Sequence, residues 1–261
     1  GFSDAFVSRF DRTGRRLWTR MLGGLLVDSA WSVATDSAGN LVVAGTYNSS
    51  PNDYFLARYF VDGTLDFDFV LGSANADEAR GVAIDAAWNI YVTGHTFGVD
   101  LDGEVNNGSS CAFLVKFDST GSRVSTKLIQ APGVVGDEGN AVSVAPDGTA
   151  WVAGMTTGII PSGSLPANSG IGTDGFVSKF SAAGSMLWTK QITSSGTDEA
   201  QAVAADDAGN VYVVGVAGGN LGDGVLNGPA DAFIGKFSST GAQIWLHLLG
   251  NAGYDAAYGI A

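Results

Sequence analysis

With a single cysteine, Cys111, among its 261 residues, the chain forms no intrachain disulfide, which excludes a disulfide scaffold and leaves the redox compartment unread. Charge is also scarce. Asp, Glu, Lys and Arg make up 15% of the sequence, against about 25% in an ordinary soluble chain. Bases are the scarcer sign, 13 against 26 acids, and the resulting net charge of −13 repels phosphate backbones and anionic membrane surfaces, which excludes nucleic acid as the expected partner. No apolar run reaches the ~18 residues of a spanning helix, so membrane insertion is not expected. An initiating Met and a signal peptide are both missing, and the chain reads as a processed or excised piece of a longer one. Glutamate is confined to Glu78, Glu104, Glu138 and Glu199, leaving 22 of the 26 acids as Asp, a residue that favours turns over helix interiors.

The chain does have 38 glycines and 45% hydrophobic residues, enough apolar surface for a sizeable core. It also has an internal repeat. Five segments align without a gap: SDAFVSRFDRTGRRLW from Ser3, NDYFLARYFVDGTLDF from Asn52, SCAFLVKFDSTGSRVS from Ser110, TDGFVSKFSAAGSMLW from Thr173 and ADAFIGKFSSTGAQIW from Ala230. In each, an aromatic (Phe6, Phe55, Phe113, Phe176, Phe233) precedes a second by four residues and a turn glycine by eight. Alternation before a glycine turn and renewed alternation after it predict a hairpin, strands C and D. A second hairpin, strands A and B, is predicted in AWSVATDSAGNLVVAG, ARGVAIDAAWNIYVTG, NAVSVAPDGTAWVAG and AQAVAADDAGNVYVVG, where Asp caps the turn and Gly or Asn accepts positive φ.

Repeated four-stranded antiparallel units predict an all-β fold, a β-propeller of about five blades, four complete and one composite or partial, in a single domain over 1–261. The units fall at 1–24, 25–73, 74–132, 133–194, 195–250 and, in part, 251–261. A β-solenoid would have shorter coils and a tandem of sandwiches longer independent cores. The C-D pair at 1–24 and the strand-A match at YGIA would share a blade without strand B. The chain is therefore expected to be an excerpt, the alternative being a ring closed imperfectly or by a partner.

The strings DAFVSRF with TG and Trp, and D-x-x-G-N-hydrophobic-Y-V-x-G, resemble the bacterial SBBP β-propeller repeat over nearly the whole chain. GVDLDGEVNNGSSCAF and GGNLGDGVLNGPADAF resemble its L-D-G-x-x-N variant, with Cys111 where that repeat has Asp and Ser125 at its aromatic strand-D position. The resemblance implies a secreted or surface-attached bacterial protein, often large and multidomain, of a kind mostly without assigned activity.

Comparing the copies locates the variable surface. From the first Phe of strand C to the Asp before the next strand A is 22 residues in four units and 24 in one, and from that Asp to the Gly closing strand B is always 17. From that Gly to the next strand-C Phe the spacing is 10, 19, 22 and 18. Variation is confined to the B-C connection, which shares a rim with the D-A connection, and loops free to vary are where binding residues gather. The candidate ligand-binding loops lie around Tyr47, Phe97, Ile159 and Asn220, including IIPSGSLPANSGIGTD.

Each D-A connection holds an Asp: Asp28, Asp77, Asp137, Asp198 and Asp255, with Glu78, Glu138 and Glu199 beside three of them. They read either as a carboxylate collar for a cation or basic partner, or as caps that accept backbone N–H bonds in their own loops. Asp100, Asp102 and Glu104 alternate in VDLDGEVNNG, and Asn220, Asp223 and Asn227 occupy the twin loop. Oxygen ligands at such spacing suit Ca²⁺, so these three acids are the candidate metal ligands of a chain otherwise expected to use no cofactor. His95 and His247 have no Cys or second His at zinc-ligand spacing. No nucleophile elbow or triad is found, and no catalytic residue is assigned. The T-G-x-x-x-W strings look like the Trp-docking pattern of quinoproteins, but turn glycines and blade-covering tryptophans need no cofactor.

These readings predict a non-catalytic extracellular or cell-surface scaffold that binds protein or glycan through the B-C and D-A rim. The alternative is a lectin or carbohydrate-active enzyme using acids of that rim, and a purely architectural spacer is a third. Other domains or copies of the same larger chain are further expected partners.

Overall fold

The computed structural model describes residues 3–49, 51–133, 136–161, 172–222 and 224–261. Among these residues twenty strands follow one another. β1 (Ala5–Phe10) and β2 (Arg16–Leu22) form a hairpin, and β3 (Ser29–Thr35), β4 (Leu41–Tyr47), β5 (Asp53–Tyr59) and β6 (Leu65–Leu71) form the first complete sheet. β7 (Asp77–Ile84) and β8 (Ile90–Thr96) lead into a small hairpin, β9 (Asp100–Leu101) with β10 (Glu104–Val105), before β11 (Cys111–Phe117) and β12 (Arg123–Ile129) complete the second sheet. β13 (Asp137–Val144), β14 (Ala150–Thr156), β15 (Asp174–Phe180) and β16 (Met186–Ile192) make the third, and β17 (Asp198–Ala205), β18 (Val211–Ala217), β19 (Asp231–Phe237) and β20 (Gln243–Leu249) the fourth. Each complete sheet is an antiparallel A-B-C-D meander in sequence order.

The turns form for local reasons. In the A-B turns Asp36 Oδ1 accepts the N–H groups of Ala38 and Asn40, and Asp85 and Asp206 repeat the pattern. In the C-D turns the glycine four residues past the second aromatic takes positive φ, as at Gly121 (83°), a conformation that costs a side chain but not glycine.

Four apolar cores lie between successive sheets rather than within them. One joins the β1-β2 hairpin to the first complete sheet through Val7, Phe55 and Tyr59; the next joins Leu56 to Phe113 and Phe117. The third and fourth centre on Phe176 and Phe233. A lone sheet would expose both apolar faces, so stacking is what hides them. The A strands β3, β7, β13 and β17 pack against one another in series and against the B strand of the sheet before. The sheets thus fan outward from their inner strands, as in a propeller.

Segment 251–261 takes the place of a strand A: Asp255 N–H donates to the Ala230 carbonyl at 2.9 Å, as Asp77 does to Asn52 and Asp198 to Thr173. It forms no strand, because no strand B lies beside it, and among the described residues no backbone hydrogen bond ties it or β17–β20 to β1 and β2.

Candidate functional site

The B-C and D-A connections meet at one rim because four antiparallel strands return every second connection to the same end. The aspartate that opens each strand A holds them together. Asp28 accepts Gly24 N–H from the D-A side at 2.7 Å and Asn48 N–H from the B-C side at 2.8 Å. Asp137 accepts Ala131 N–H at 3.0 Å and the Thr156 hydroxyl. Asp198 takes Ser194 N–H and Gly218 N–H. Asp28, Asp77, Asp137 and Asp198 are all buried. Of the two readings it is the cap that these bonds describe: these carboxylates face their own loops, where each satisfies donors that burial would otherwise leave unpaired. Burial pushes the carboxyl groups of Asp137 and Asp198 up to about 6 and raises that of Asp77, the accepted hydrogen bonds opposing it in each case.

On this frame the connections differ. Residues 48–52 link β4 to β5 directly, whereas 97–110 carry the β9-β10 hairpin. Tyr47 is half-buried and lines a cleft of about 530 Å³ with Arg20, Tyr59 and Asp68. Phe97 and Ile159 are exposed, and Asn220 accepts Leu226 N–H at 2.9 Å. Phe97, Ile159 and Asn220 each sit on a separate connection, and Tyr47 ends β4. Residues 162–171 of the longest loop, and Asp223, lie outside the described residues.

The three candidate Ca²⁺ ligands do not converge. Asp100 accepts Gly103 N–H at 3.0 Å, Asp102 pairs with Arg123 and takes the Thr126 hydroxyl at 2.6 Å, and Glu104 pairs with Lys127. In the register of that hairpin Asp100 stands opposite Val105 and Glu104 opposite Leu101, which puts these two acids on opposite faces, and the bases of β12 claim Asp102 and Glu104. Among the described residues no three His, Cys, Asp or Glu side chains are grouped to hold a metal. Cys111, at the repeat's Asp position, is buried with Sγ 2.7 Å from Asn106 Oδ1; burial pushes its thiol up to about 12.

A second set of residues was missed by repeat arithmetic. Every strand A pairs with strand B through a one-residue bulge, at Trp31, Arg80, Asn140 and Gln201. A bulge leaves its residue without a cross-strand partner and re-aims its side chain. Here the frame repeats and the chemistry does not. Arg80 donates to Glu138 at 2.7 Å and to Asn140 Oδ1 at 3.1 Å in the next sheet, Asn140 donates to the Ala200 carbonyl at 3.0 Å, and Gln201 donates to Glu199 at 2.7 Å. Trp31 donates to Thr46 Oγ1 at 2.9 Å. The signal in the sequence was the fourth residue of DSAWS, DEARG, DEGNA and DEAQA, the one that changes most between copies. His95 lies behind this row, its ring edge-on to Phe97 and its Nδ1 without a partner; burial first, then Arg80, lowers its pKa to about 4, so it is neutral at pH 7.

Comparison with known proteins agrees with this architecture. Residues 187–222 match the β-propeller repeat SBBP, and residues 39–69 match a β-propeller domain of unknown function, DUF5122. The chain is 31% identical over 149 residues to the protein named Regulatory protein FlaEY of Caulobacter vibrioides, covering 54% of this chain and 15% of that one. It is 24% identical over 266 residues to Uncharacterized WD repeat-containing protein L264 of Acanthamoeba polyphaga mimivirus, covering 91% and 17%. The chain therefore spans less than a fifth of the length of either relative. Among solved structures, the Neurospora crassa Pan2 WD40 domain is similar with a TM-score of 0.51 at 14% identity, over 95% of this chain and 59% of that one, a likeness of fold.

Proposed function

Since this chain is a β-propeller repeat protein of the SBBP type, we propose that it is a non-catalytic scaffold that binds a protein partner across the rim built by its B-C and D-A connections. One observation carries this reading: loop length and loop chemistry vary only where a buried, repeated aspartate fastens both connections, so the rim diversifies without disturbing the sheets. A broad rim of separate loops, with Phe97 and Ile159 exposed, suits a macromolecule better than a metabolite. The protein acts outside the cell or on its surface, as the repeat resemblance implies, and cell fractionation tests that part. Glycan is the alternative ligand.

A photo-crosslinking residue placed at Phe97, Ile159 or Asn220 in the source cell is expected to capture a defined protein, and the same residue at the opposite rim, at Thr120 or Thr240, is not. Equal capture from both rims, or capture of polysaccharide alone, overturns the reading.

A further inference from the structure

Three of the four junctions between neighbouring sheets are closed by a residue of a B-C connection. Leu101, Ile160 and Leu221 stand seven, six and six residues past the glycine near the end of strand B, and they are exposed by 1%, 3% and 5%. Each enters the core on the face that its own sheet turns to the sheet before: Leu101 with Phe113 and Leu128, Ile160 with Phe176, Leu221 with Phe233 and Leu246. The segment around each lies along strand D of that sheet. Asp102 pairs with Arg123 and takes the Thr126 hydroxyl, Ile160 N–H donates to Gln191 Oε1 at 3.1 Å, and Gly222 backs onto the Leu246 main chain. Strand-D residues under this cover are shut off from solvent, with Leu128 8%, Gln191 9% and Leu246 4% exposed.

The remaining junction, between the β1-β2 hairpin and the first complete sheet, has no such cover. A covering loop belongs to the sheet behind its junction, so the one that would close this junction is the connection from β4 to β5. Gly45 and Phe55 are 10 residues apart, against 19, 22 and 18 in the other sheets, too few for the chain to run out along strand D and return. None of the described residues of 48–52 lines the junction, and the cleft of about 530 Å³ stands there instead, between β2 and the pair β5-β6. Both of its walls are interior to the stack. Val70, opposite Phe55 in the register, is 49% exposed, although Leu128 and Gln191 hold the same place against Phe113 and Phe176 and are covered. Leu65 is 45% exposed, and Asp68, in the place of Thr126 and Leu246, is open to solvent. Apolar side chains thus line a hollow that the other sheets fill.

We propose that this cleft is a peptide-binding site, taking a segment of a partner protein that lays one aliphatic side chain, Leu or Ile, against Phe55 and Val70 with a basic residue beside it. The occupant's chemistry is that of the three internal covers, each a short stretch of chain outside the sheet that inserts one Leu or Ile. Burying that side chain against Phe55 and Tyr59 supplies the attraction. The charge is reversed. In the second sheet the loop brings the acid, Asp102, and strand D the base, Arg123. Here strand D brings the acid, Asp68, while Arg20 across the cleft is engaged by the Gly63 and Thr19 carbonyls at 2.8 and 2.9 Å. Asp68 therefore selects a base in the incoming segment. The inference rests on the reading of this chain as a protein-binding scaffold, and it names where and by what chemistry a partner is held.

The test presents the 261-residue chain with a displayed library of short random peptides. Selected peptides are expected to share a Leu or Ile with a Lys or Arg beside it. Leu65→Gln with Val70→Gln, which installs the residues that the fourth and third sheets carry at those places, is expected to weaken their binding by about tenfold or more. Asp68→Asn is expected to remove the preference for a base and to keep that for the aliphatic residue. Val124→Gln, at an exposed site on β12, is expected to change nothing. All the replaced side chains are exposed, so each variant is expected to keep the wild-type circular dichroism. A library that yields no binder, binders with no aliphatic residue in common, or binders indifferent to the Leu65 and Val70 changes or to Asp68→Asn each overturns the inference. Crosslinking from Phe97, Ile159 or Asn220 reads the rim separately, so capture there beside a cleft that selects no peptide overturns this inference alone.

Discussion

The backbone N–H of Ser194 lies 2.5 Å from the carboxylate of Asp198, which also takes the Ser194 hydroxyl at 2.8 Å and the N–H of Gly218 at 3.2 Å. One buried side chain thus ties the end of one sheet, the start of the next and the following B-C loop. Its pKa and that of Asp137 are pushed up to about 6 by burial. An acid with a higher pKa folded than unfolded holds its proton more tightly in the native state, so its protonation adds stability. That contribution is complete below the ordinary carboxyl range near 4 and is lost as pH rises through about 6. The turn carboxylates work the other way: hydrogen bonds from Thr120 lower Asp118, and those from Thr149 lower Asp147, so their contribution disappears in stronger acid. Buried, neutral His95 opposes this gain once pH falls below the ordinary histidine range, so the Tm is expected to rise only slightly as pH falls from 7 to about 5 and to drop again below about 4. Asp198→Asn should flatten the rise; a Tm that climbs steadily from pH 5 to 8 refutes the assignment.

Glycine at the end of strand B is expected to be irreplaceable. A Cβ on Gly154 would lie 1.9 Å from the Glu138 carbonyl and 2.8 Å from the Phe176 ring, and Gly215 is in the same position against Glu199. Backbone cannot yield there, so Gly154→Ala should cost more than about 3 kcal/mol in denaturant unfolding. Gly14 has open space but a φ of 84°, and Gly14→Ala should cost only the left-handed strain, about 1–2 kcal/mol.

Repeat position alone does not set energetic weight. Phe176 and Phe6 open equivalent strands, yet Phe176 is fully buried and Phe6 is exposed. Phe176→Ala should destabilise by about 3–5 kcal/mol, whereas Phe6→Ala should stay within about 0.5 kcal/mol. Equal losses at both sites would mean that Phe6 is covered within a single molecule.

Cys111 should be chemically silent. Its thiol is buried and held well into the alkaline range, and it is the thiolate that reacts. A thiol-specific disulfide reagent at pH 8 is expected to leave it unmodified in the native protein and to titrate one thiol per chain after unfolding. Prompt reaction under native conditions would show that the Asn106 loop opens readily.

The rim illustrates how far repeat reading reaches. Concentration of length variation in the B-C connections was legible, because comparing copies of one motif is itself a form of alignment. That the D-A aspartates are staples followed from their repetition. Trp31, Arg80, Asn140 and Gln201 were not legible as a set, since a bulge shifts register by one residue without interrupting the apolar pattern around it. The ion pairs of Asp102 and Glu104 were not legible for a different reason: their partners Arg123 and Lys127 lie on a strand some twenty positions downstream, and spacing within a loop carries no trace of them.

The sequence by itself determined the hairpins, the four-strand unit and the rim at which units diverge, because strand pairing here joins neighbours in the chain through turns whose Asp and Gly chemistry is local. The tertiary structure decided what no unit contains alone: which aspartates lose water and gain protons, which polar side chains meet across the inner strands, and which aromatics are covered. Those outcomes depend on the sheet in front and the sheet behind. The same phenylalanine is core in the middle of the stack and surface at its end, since burial is a property of the neighbour and not of the residue.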